Sequence, residues 1–258
     1  MEITSVAMVQ WPDGLLPYGP AWDSIRRSVN RARPDILVTN EMPFGEWLAG
    51  TPIFDRGAAE RSASLHEAGL AALAQLDVPA IISSRPVLDG DRLANEAFVL
   101  EAGQVRPCHR KMRFPQEPGW YEQSWFHRGD EAPECVPVGA LKVGVLLCTE
   151  LFFNEHARDY GMQGADLIVV PRASGASHAR WQVGTAMAAI VSGAYVVSSN
   201  RAGVRRSEAV FGGAGMAVLP DGQLLAKTNE QNSMVLISVD ASVSRAQKLA
   251  YPCYLMKK

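Results

Sequence analysis

Three side chains that suit carbonyl chemistry each follow a run of apolar residues. Glu41 comes directly after DILVTN, Lys111 ends the segment PCHRK, and Cys148 follows LKVGVLL. A thiolate is a strong nucleophile, a nearby carboxylate can take the thiol proton, and an ammonium can stabilise a developing oxyanion. Singly, each residue also has a plainer interpretation: Cys148 as a small core residue, Glu41 as a surface acid and Lys111 as a solvated lysine.

The elements predicted around these residues place all three at the carboxyl ends of strands. Residues 35–40, 104–109 and 141–147 have the composition of strands, and in α/β folds functional sites lie at such ends. A helix is predicted shortly after Cys148, and a strand–turn–helix arrangement exposes a nucleophile at a sharp turn. The combination therefore predicts one site that contains a base, a cation and a nucleophile.

Short apolar runs alternate with helix-like segments along the whole chain. This alternation predicts a layered α/β fold, and continuously apolar runs such as DLIVV indicate sheets that are buried on both faces. No linker, repeat or low-complexity tract interrupts the pattern, so we expect a single domain over residues 1–258. The predicted strands are 2–10, 35–40, 79–84, 95–100, 104–109, 141–147, 166–170, 194–199, 214–219, 223–227 and 233–239, and the predicted helices are 22–32, 57–76, 153–163 and 178–191.

The segment 110–135 lacks the periodicity of its surroundings. It is rich in Pro, Gly, Trp and charged residues, and a loop of this length inside a compact domain is usually functional or disordered. Its aromatic content favours an ordered, functional loop. The aromatic residues are Phe114, Trp120, Tyr121, Trp125 and Phe126.

The composition excludes several classes of partner. Of 258 residues, 47% are hydrophobic and 20% charged, and the net charge is −2. A charge this small steers the chain to neither nucleic acid nor an anionic membrane. No apolar stretch approaches the ~18 residues of a membrane span. The N-terminal MEITSVAMVQWP has no basic segment before a long apolar run, so we expect no signal peptide.

The cysteines indicate a reducing environment. The four residues, Cys108, Cys135, Cys148 and Cys253, have no C-x-x-C spacing and are too few for a disulfide framework. We therefore expect a cytoplasmic location. No His/Cys/Asp cluster has the spacing of metal ligands, so neither a metal nor another cofactor is predicted.

Four segments of the sequence resemble the nitrilase superfamily of carbon–nitrogen hydrolases. They are NEMPFGEW, HRKMRFP, GVLLCTELFFNEHARDYGMQGADLIVVPRA and SSNRAG. The resemblance implies a four-layer α-β-β-α sandwich in which Glu41 is the general base, Lys111 holds the oxyanion and Cys148 is the nucleophile. It also implies hydrolysis of a small amide or N-carbamoyl amide through a thioester. Homodimers or higher homo-oligomers, assembled through helices next to the active site, are implied as well.

The resemblance further implies a second glutamate on the loop after the lysine, and two residues qualify. The stretch PGWYEQSWFHRGD resembles N-carbamoylputrescine amidohydrolases, in which this glutamate lies seven residues before a Gly-Asp pair. Glu122 lies seven residues before Gly129 and is our choice. Glu117 is the alternative, because EPGWY also resembles aliphatic amidases; either residue could instead be a solvated loop acid.

Around the cysteine the sequence departs from the common amidase pattern. Many amidases have an aspartate where this chain has Glu150, which is closer to nitrile-hydrolysing members. Arginines that often follow that acid in amino-acid carbamoylases are replaced here by Leu151 and Phe152. Arg172, after DLIVVP, is a candidate to bind a distal anion of the substrate, and a salt bridge at the surface or a dimer interface is its alternative role.

Aromatic and apolar residues are predicted to line the substrate pocket. Pockets are generally walled by such groups with few polar ones. The candidate substrate-binding residues are Arg172, Trp120, Tyr121, Leu151 and Phe152.

Several functions remain open from the residues alone. Hydrolysis of an amide or N-carbamoyl amide leads, and a nitrilase is the second enzyme class. A non-catalytic binding member is disfavoured by the presence of Glu41, Lys111 and Cys148 together. Acyl transfer to an amine in place of water is a further alternative.

Overall fold

Two six-stranded β-sheets form most of the computed structural model, which describes residues 3–205 and 209–251. The first sheet comprises β1 (Ile3–Val9), β2 (Ile36–Val38), β3 (Ala80–Asp89), β4 (Arg92–Glu101), β5 (Gln104–Arg110) and β14 (Met234–Asp240). The second comprises β6 (Val136–Val138), β7 (Leu141–Val145), β8 (Leu167–Arg172), β9 (Tyr195–Asn200), β12 (Met216–Val218) and β13 (Leu224–Lys227). A separate hairpin comprises β10 (Ala202–Arg205) and β11 (Ala209–Gly212).

Helices cover the outer face of each sheet. α1 (Pro20–Ala32) and α2 (Arg56–Leu73) lie on the first sheet, and α4 (Asn154–Met162) and α5 (His178–Ser192) lie on the second. The remaining helices are α3 (Glu122–Trp125), α6 (Ala241–Ala250) and two 3₁₀ turns at Leu48–Gly50 and Cys148–Phe152.

Three apolar clusters hold these layers together. The cluster between the sheets contains residues from both, including Val38 and Val99 from the first and Val143 and Val169 from the second. Two further clusters fill the spaces between each sheet and its helices. Burial of apolar surface is the main force that stabilises such layers. The predicted four-layer α-β-β-α sandwich is therefore confirmed.

The topology brings the ends of several strands to one edge. β1, β2 and β3 are parallel neighbours in the first sheet, and β7, β8 and β9 are parallel neighbours in the second. The hydroxyl of Ser199 accepts a hydrogen bond from Val9 N at 3.0 Å and donates one to Val38 O at 2.7 Å. This serine at the end of β9 thus ties the second sheet to two strands of the first.

Most predicted elements are present, and their differences have local causes. The strands predicted over 95–100 and 104–109 pair as a hairpin that turns at Ala102 and Gly103, and both residues have positive φ angles, 50° and 75°, as a tight two-residue turn requires. The third strand is longer than predicted because β3 and β4 form a second hairpin that turns at Gly90. Five short elements, β6, β10, β11, α3 and α6, were not predicted from the sequence. α6 begins at an aspartate cap, Asp240, whose side chain accepts a hydrogen bond from Ser242 N.

Two further observations concern the described part of the chain. None of its helices combines the length and the apolar composition that crossing a membrane requires. Within residues 3–205 and 209–251, no group of three or more His, Cys, Asp and Glu side chains is arranged to hold a metal ion.

Candidate active site

Cys148 occupies a strained turn between β7 and the 3₁₀ turn that begins with it. Its φ angle is +51°, a conformation that residues with a Cβ rarely adopt. Such strain is usually found where it is functional, because the surrounding fold must compensate for it. Cys148 is 2% exposed, and its Sγ lies 4.0 Å from Ala173 O at the inner end of a cavity.

The Lys111 ammonium lies between two carboxylates. Its Nζ donates to Glu41 Oε1 at 2.8 Å and to Glu122 Oε2 at 2.5 Å. All three side chains are fully buried. Lys111 reaches this position because its backbone N–H donates to Asn95 O, which extends the pairing of β4 with β5 past the end of the strand.

Asn95 orients the carboxylate of Glu41. Its Nδ2 donates to Glu41 Oε1 at 2.8 Å, so that oxygen receives both this bond and the one from Lys111. Among the described residues, three buried oxygens of this cluster have no hydrogen-bond partner. They are Glu41 Oε2, Glu122 Oε1 and Asn95 Oδ1. Buried polar atoms are nearly always paired, so these oxygens mark where a donor group of a ligand or a water would bind.

The loop that carries Glu41 is held by backbone contacts to the second sheet. Glu41 N donates to Arg172 O at 3.2 Å, and the guanidinium of Arg201 donates to Glu41 O and Met42 O. Arg201 also pairs with Asp13. These contacts explain why a loop residue directly after β2 has a fixed position although its segment has no regular secondary structure.

Burial and charge shift the pKa values of the cluster in opposite directions. Burial disfavours charged Lys111, but the charges of Glu122 and Glu41 outweigh it and raise the pKa of this lysine. Burial raises the pKa of Glu122 to about 8, against the opposing effect of Lys111. Burial, followed by the charge of Glu41, raises the pKa of the Cys148 thiol well above its usual range. Cys148 is therefore a neutral thiol at rest, and a base would be needed to ionise it.

Glu150 joins the two segments that carry Lys111 and Cys148. Its carboxylate accepts hydrogen bonds from Met112 N at 2.6 Å and from Leu147 N at 2.8 Å, and it also contacts the His109 ring. Burial by itself raises the pKa of this carboxyl, but His109 and the two backbone donors outweigh burial and lower it. Glu150 is thus ionised and fully buried, and its hydrogen bonds connect the end of β5 to the turn that carries Cys148.

A cavity of about 210 Å³ opens from Cys148 to the surface. Of the residues predicted to contact substrate, Trp120 and Phe152 line it, whereas Tyr121 and Leu151 do not. Leu151 is buried in the cluster between the second sheet and its helices. The lining residues are Pro115, Glu117, Trp120, Cys148, Thr149, Phe152, Ala173, Ser174, Gly175, Ser177, Arg180 and Trp181.

Arg172 lies behind the wall of this cavity. Its Nε, Nη1 and Nη2 donate to Ser198 Oγ, Ser174 Oγ and Ala214 O, and its guanidinium stacks 4.7 Å from the Trp181 ring. It has no carboxylate partner among the described residues. Burial lowers its pKa to about 10, with the Cys148 charge opposing the shift. Each guanidinium nitrogen already donates to the protein, which limits the donors that are left for a substrate. Direct binding of a substrate anion by Arg172 stays a prediction.

Sequence reasoning missed three contributors to the site. Asn95 lies beside Glu96 within β4, and only the interruption of the apolar run LANEAFVL by these two residues marks it. Arg180 lies in the first turn of α5, where nothing distinguishes it from a solvated arginine. Glu117, considered only as the second glutamate, lines the cavity, and it is Glu122 that contacts Lys111.

Comparison of the sequence with known proteins identifies related chains. A family model described as "Carbon-nitrogen hydrolase" matches residues 53–251. An N-carbamoylputrescine amidase from Solanum tuberosum is 30% identical over 163 residues, which are 56% of this chain and 53% of that protein. The chain thus spans about half the length of the curated relatives it matches.

Solved structures share the fold over nearly the whole chain. A carbon–nitrogen hydrolase from Helicobacter pylori G27 has a TM-score of 0.87 at 18% identity, over 100% of this chain and 96% of that one. An amidase mutant from Nesterenkonia sp. AN1, with the acetamide moiety of fluoroacetamide covalently added at its active-site cysteine, has a TM-score of 0.74 at 20% identity. That match covers 97% of this chain and 95% of the amidase. At these identities the likeness concerns the fold.

Proposed function

This chain belongs to the carbon–nitrogen hydrolase family, and we propose that it hydrolyses a small amide or N-carbamoyl amide to an acid and ammonia or an amine through a thioester on Cys148. It is an enzyme for carbon–nitrogen bonds other than peptide bonds. The observation that carries the proposal is the buried Lys111 ammonium between Glu41 and Glu122, in electrostatic contact with Cys148.

The first step is attack by the cysteine. Glu41 takes the thiol proton of Cys148 on its free oxygen, Oε2, and the sulfur forms a bond to the carbonyl carbon of the substrate. A base is needed here because burial keeps the thiol protonated. The covalent acetamide adduct of the Nesterenkonia amidase, which shares the fold, supports a nucleophilic role for the cysteine.

The carbonyl oxygen then carries the negative charge. An ammonium has three N–H donors, and two of those of Lys111 bind Glu41 and Glu122. The third is available to the oxyanion, together with a backbone N–H at the start of the 3₁₀ turn that Cys148 begins, where helical donors lack partners. Because these donors are buried and fixed, they stabilise the charge without reorganising.

Collapse of this intermediate releases the nitrogen. The C–N bond breaks, and Glu41 returns its proton to the leaving nitrogen, so ammonia or an amine departs and the thioester remains. Water then gives a proton to Glu41 and attacks the thioester, and the protonated Glu41 restores the thiol of Cys148 as the acid leaves. Protons and charges balance over the cycle, and no cofactor takes part.

Glu122 is proposed to position Lys111 and the substrate amide and not to act as the base. Its Oε2 holds Lys111, and its unpartnered Oε1 is placed to accept a hydrogen bond from the substrate amide N–H. Glu41 is the better base, because Asn95 and Lys111 orient its other oxygen.

The aromatic wall and Arg172 set the proposed preference for substrate. Trp120 and Phe152 supply apolar surface to the cavity, and contact of Tyr121 and Leu151 with substrate stays a prediction. Arg172, which lacks a carboxylate partner among the described residues, adds positive potential behind Ser174 and favours an anionic substrate.

The assembly is proposed to be a homodimer or higher homo-oligomer. The small residues Gly184 and Ala188 of α5 are buried in the chain's own fold, and Gly184 faces Phe152. The outward side of α5 instead exposes Val183, at 66%, and Met187, at 41%. Exposed apolar side chains next to an active site favour contact with a second copy. One domain over residues 1–258 and a cytoplasmic location also stay predictions.

Release of ammonia from a panel of amides, ureides and nitriles tests the function. Amide or ureide turnover that is lost in Cys148→Ala supports the proposal. Turnover confined to nitriles would instead favour the nitrilase alternative, for which Glu150 is the sequence feature. Products captured by an added amine would reveal acyl transfer. No turnover and no labelling of Cys148 would identify a non-catalytic binding member.

A further inference from the structure

Two side chains of opposite charge line the outer part of the cavity that ends at Cys148. Glu117 and Arg180 are both exposed and both line it. Within the part of the chain that the structure describes, neither side chain forms an ion pair or a hydrogen bond with another side chain. One unpaired anion and one unpaired cation therefore face the same small volume.

The two charges stand on separate, well-fixed walls. Glu117 belongs to the loop after β5, and its backbone exchanges hydrogen bonds with that of Trp120, whose indole N–H donates to Ala173 O at 2.7 Å. Arg180 precedes Trp181 in α5, and the Trp181 ring packs 4.7 Å from Phe152. Because both backbones are anchored, the fold sets the positions from which the two side chains extend into the cavity.

The cavity next to Cys148 has room for a short substrate. Its 210 Å³ corresponds to the volume of about seven water molecules. A ligand whose amide carbon lies at Cys148 therefore extends by only a few atoms before its far end meets Glu117 and Arg180. The exposed Ser177 and the buried Ser174 also line the cavity, so a polar end group of the substrate would find more hydrogen-bond partners there than an apolar one.

We propose that the substrates are short ω-amides or ω-ureides of α-amino acids, with the α-carboxylate bound by Arg180 and the α-ammonium bound by Glu117. A guanidinium pairs with a carboxylate through two parallel hydrogen bonds, and a carboxylate accepts from an ammonium. Each residue then reads one charge of the zwitterion, and Arg172 behind the wall adds to the attraction for the carboxylate. This inference rests on the proposed function, because it names the substrate class of the same site.

Four amides of one chain length separate the two contacts. Glutamine carries both charges, glutaramate carries the carboxylate alone, 4-aminobutanamide carries the ammonium alone, and butanamide carries neither. The wild-type enzyme should have its highest kcat/KM for glutamine. Arg180→Gln should lower the ratio of kcat/KM for glutaramate to that for butanamide by about tenfold. Glu117→Gln should lower the corresponding ratio for 4-aminobutanamide by a similar factor.

Each variant is the matched control of the other, since each removes one charge from the same cavity. Arg31→Gln and Glu230→Gln remove exposed charges elsewhere and control for the change in net charge. Equal losses on all four amides, or a wild-type preference for butanamide, would overturn the inference while leaving the hydrolase intact. Failure of the proposed function is distinguishable, because then no amide releases ammonia and Cys148 takes no label.

Discussion

His109 Nε2 lies 2.7 Å from Glu150 Oε2, and both side chains are buried behind the turn that carries Cys148. The same carboxylate accepts from the backbone on either side of the site, at Met112 and Leu147. This pair therefore fixes the distance between the segments that carry Lys111 and Cys148.

Replacing Glu150 tests whether its hydrogen bonds stabilise the fold. Glu150→Gln loses the charge and one acceptor, so we expect the free energy of unfolding at pH 7 to fall by about 1–3 kcal/mol. The pKa of Glu150 is lowered from its ordinary 4.5 in the folded state, so its contribution to stability is present at neutral pH and is lost as pH falls from 4.5 towards the lower folded-state pKa. Urea unfolding at pH 7 and pH 4 should show that the difference in unfolding free energy between wild type and Glu150→Gln is smaller at pH 4. A difference that is the same at both pH values would contradict the lowered pKa of Glu150. Glu155→Gln, a change at an exposed glutamate, is the control.

Covalent capture tests the nucleophile. A substrate amide whose thioester hydrolyses slowly should add one acyl group to the wild-type chain, and the modified peptide should contain Cys148. Cys148→Ala should neither take the label nor release ammonia. Cys135→Ala, which removes a partly buried thiol that does not line the cavity, should keep both properties. Intact-mass spectrometry decides, and an active Cys148→Ala enzyme would refute the mechanism.

The two glutamates of the loop should differ in kinetics. Above pH 8, where Glu122 is ionised, Glu122→Gln should lower kcat for every amide by about 10²–10³. Glutamine has one acceptor oxygen where Glu122 has two, so either Lys111 or the substrate N–H loses its partner. Glu117→Gln should act on KM for amides that carry an ammonium. A severe loss of kcat in Glu117→Gln with a silent Glu122→Gln would reverse the assignment.

The pH dependence of stability gives a second readout for Glu122. Its pKa is about 8 in the folded state and ordinarily 4.5, so the folded protein binds the extra proton between these values. Wild-type stability should therefore decline as pH rises from 5 to 8, since stability falls wherever the folded state binds more protons. Glu122→Gln removes this contribution, and its unfolding free energy should change less over the same range. If the unfolding free energies of wild type and Glu122→Gln change with pH in parallel, a raised pKa of Glu122 is excluded.

The outward face of α5 should carry the contact between copies. Val183→Glu places a charge on the exposed apolar face, and we expect light scattering at micromolar concentration to show a monomer where the wild type is a dimer. Leu249→Glu, a change at an exposed leucine on α6, is the matched control and should stay dimeric. A wild-type monomer under the same conditions would remove the assembly proposal.

The roles of Arg172 and Arg180 can be distinguished because Arg172 is buried and Arg180 is exposed. Arg172→Ala should weaken anionic amides more than neutral ones if its charge attracts the substrate, and it should also lower the melting temperature because it leaves Ser174 and Ser198 without their donors. Equal losses for charged and neutral amides would limit Arg172 to a structural role.

The layered fold and the positions of Glu41, Lys111 and Cys148 were accessible from sequence because both depend on local patterns. Apolar runs mark the strands, and a chemically reactive residue directly after a strand stands out from its neighbours. Glu122 was accessible only through the resemblance to N-carbamoylputrescine amidohydrolases, in which the second glutamate has this spacing from a Gly-Asp pair, because the loop itself has no periodicity.

Contacts between distant segments were not accessible. Asn95 meets Glu41 across 54 residues, and His109 meets Glu150 across 41, so each pair exists only after β4, β5 and β7 have been packed. Arg180 illustrates the same limit on the surface. Its relation to the cavity follows from the angle at which α5 lies on the second sheet, and no residue pattern encodes that angle.

The unequal oxygens of Glu41 impose an order on the proposed turnover. Oε1 is bound by Asn95 and Lys111, so one atom, Oε2, carries the proton in both halves of the reaction. Ammonia must leave that atom before water can take its place. The kinetics are then ping-pong, with ammonia the first product released and the acid the last. Added ammonia competes with water for the acyl group and returns it to the amide.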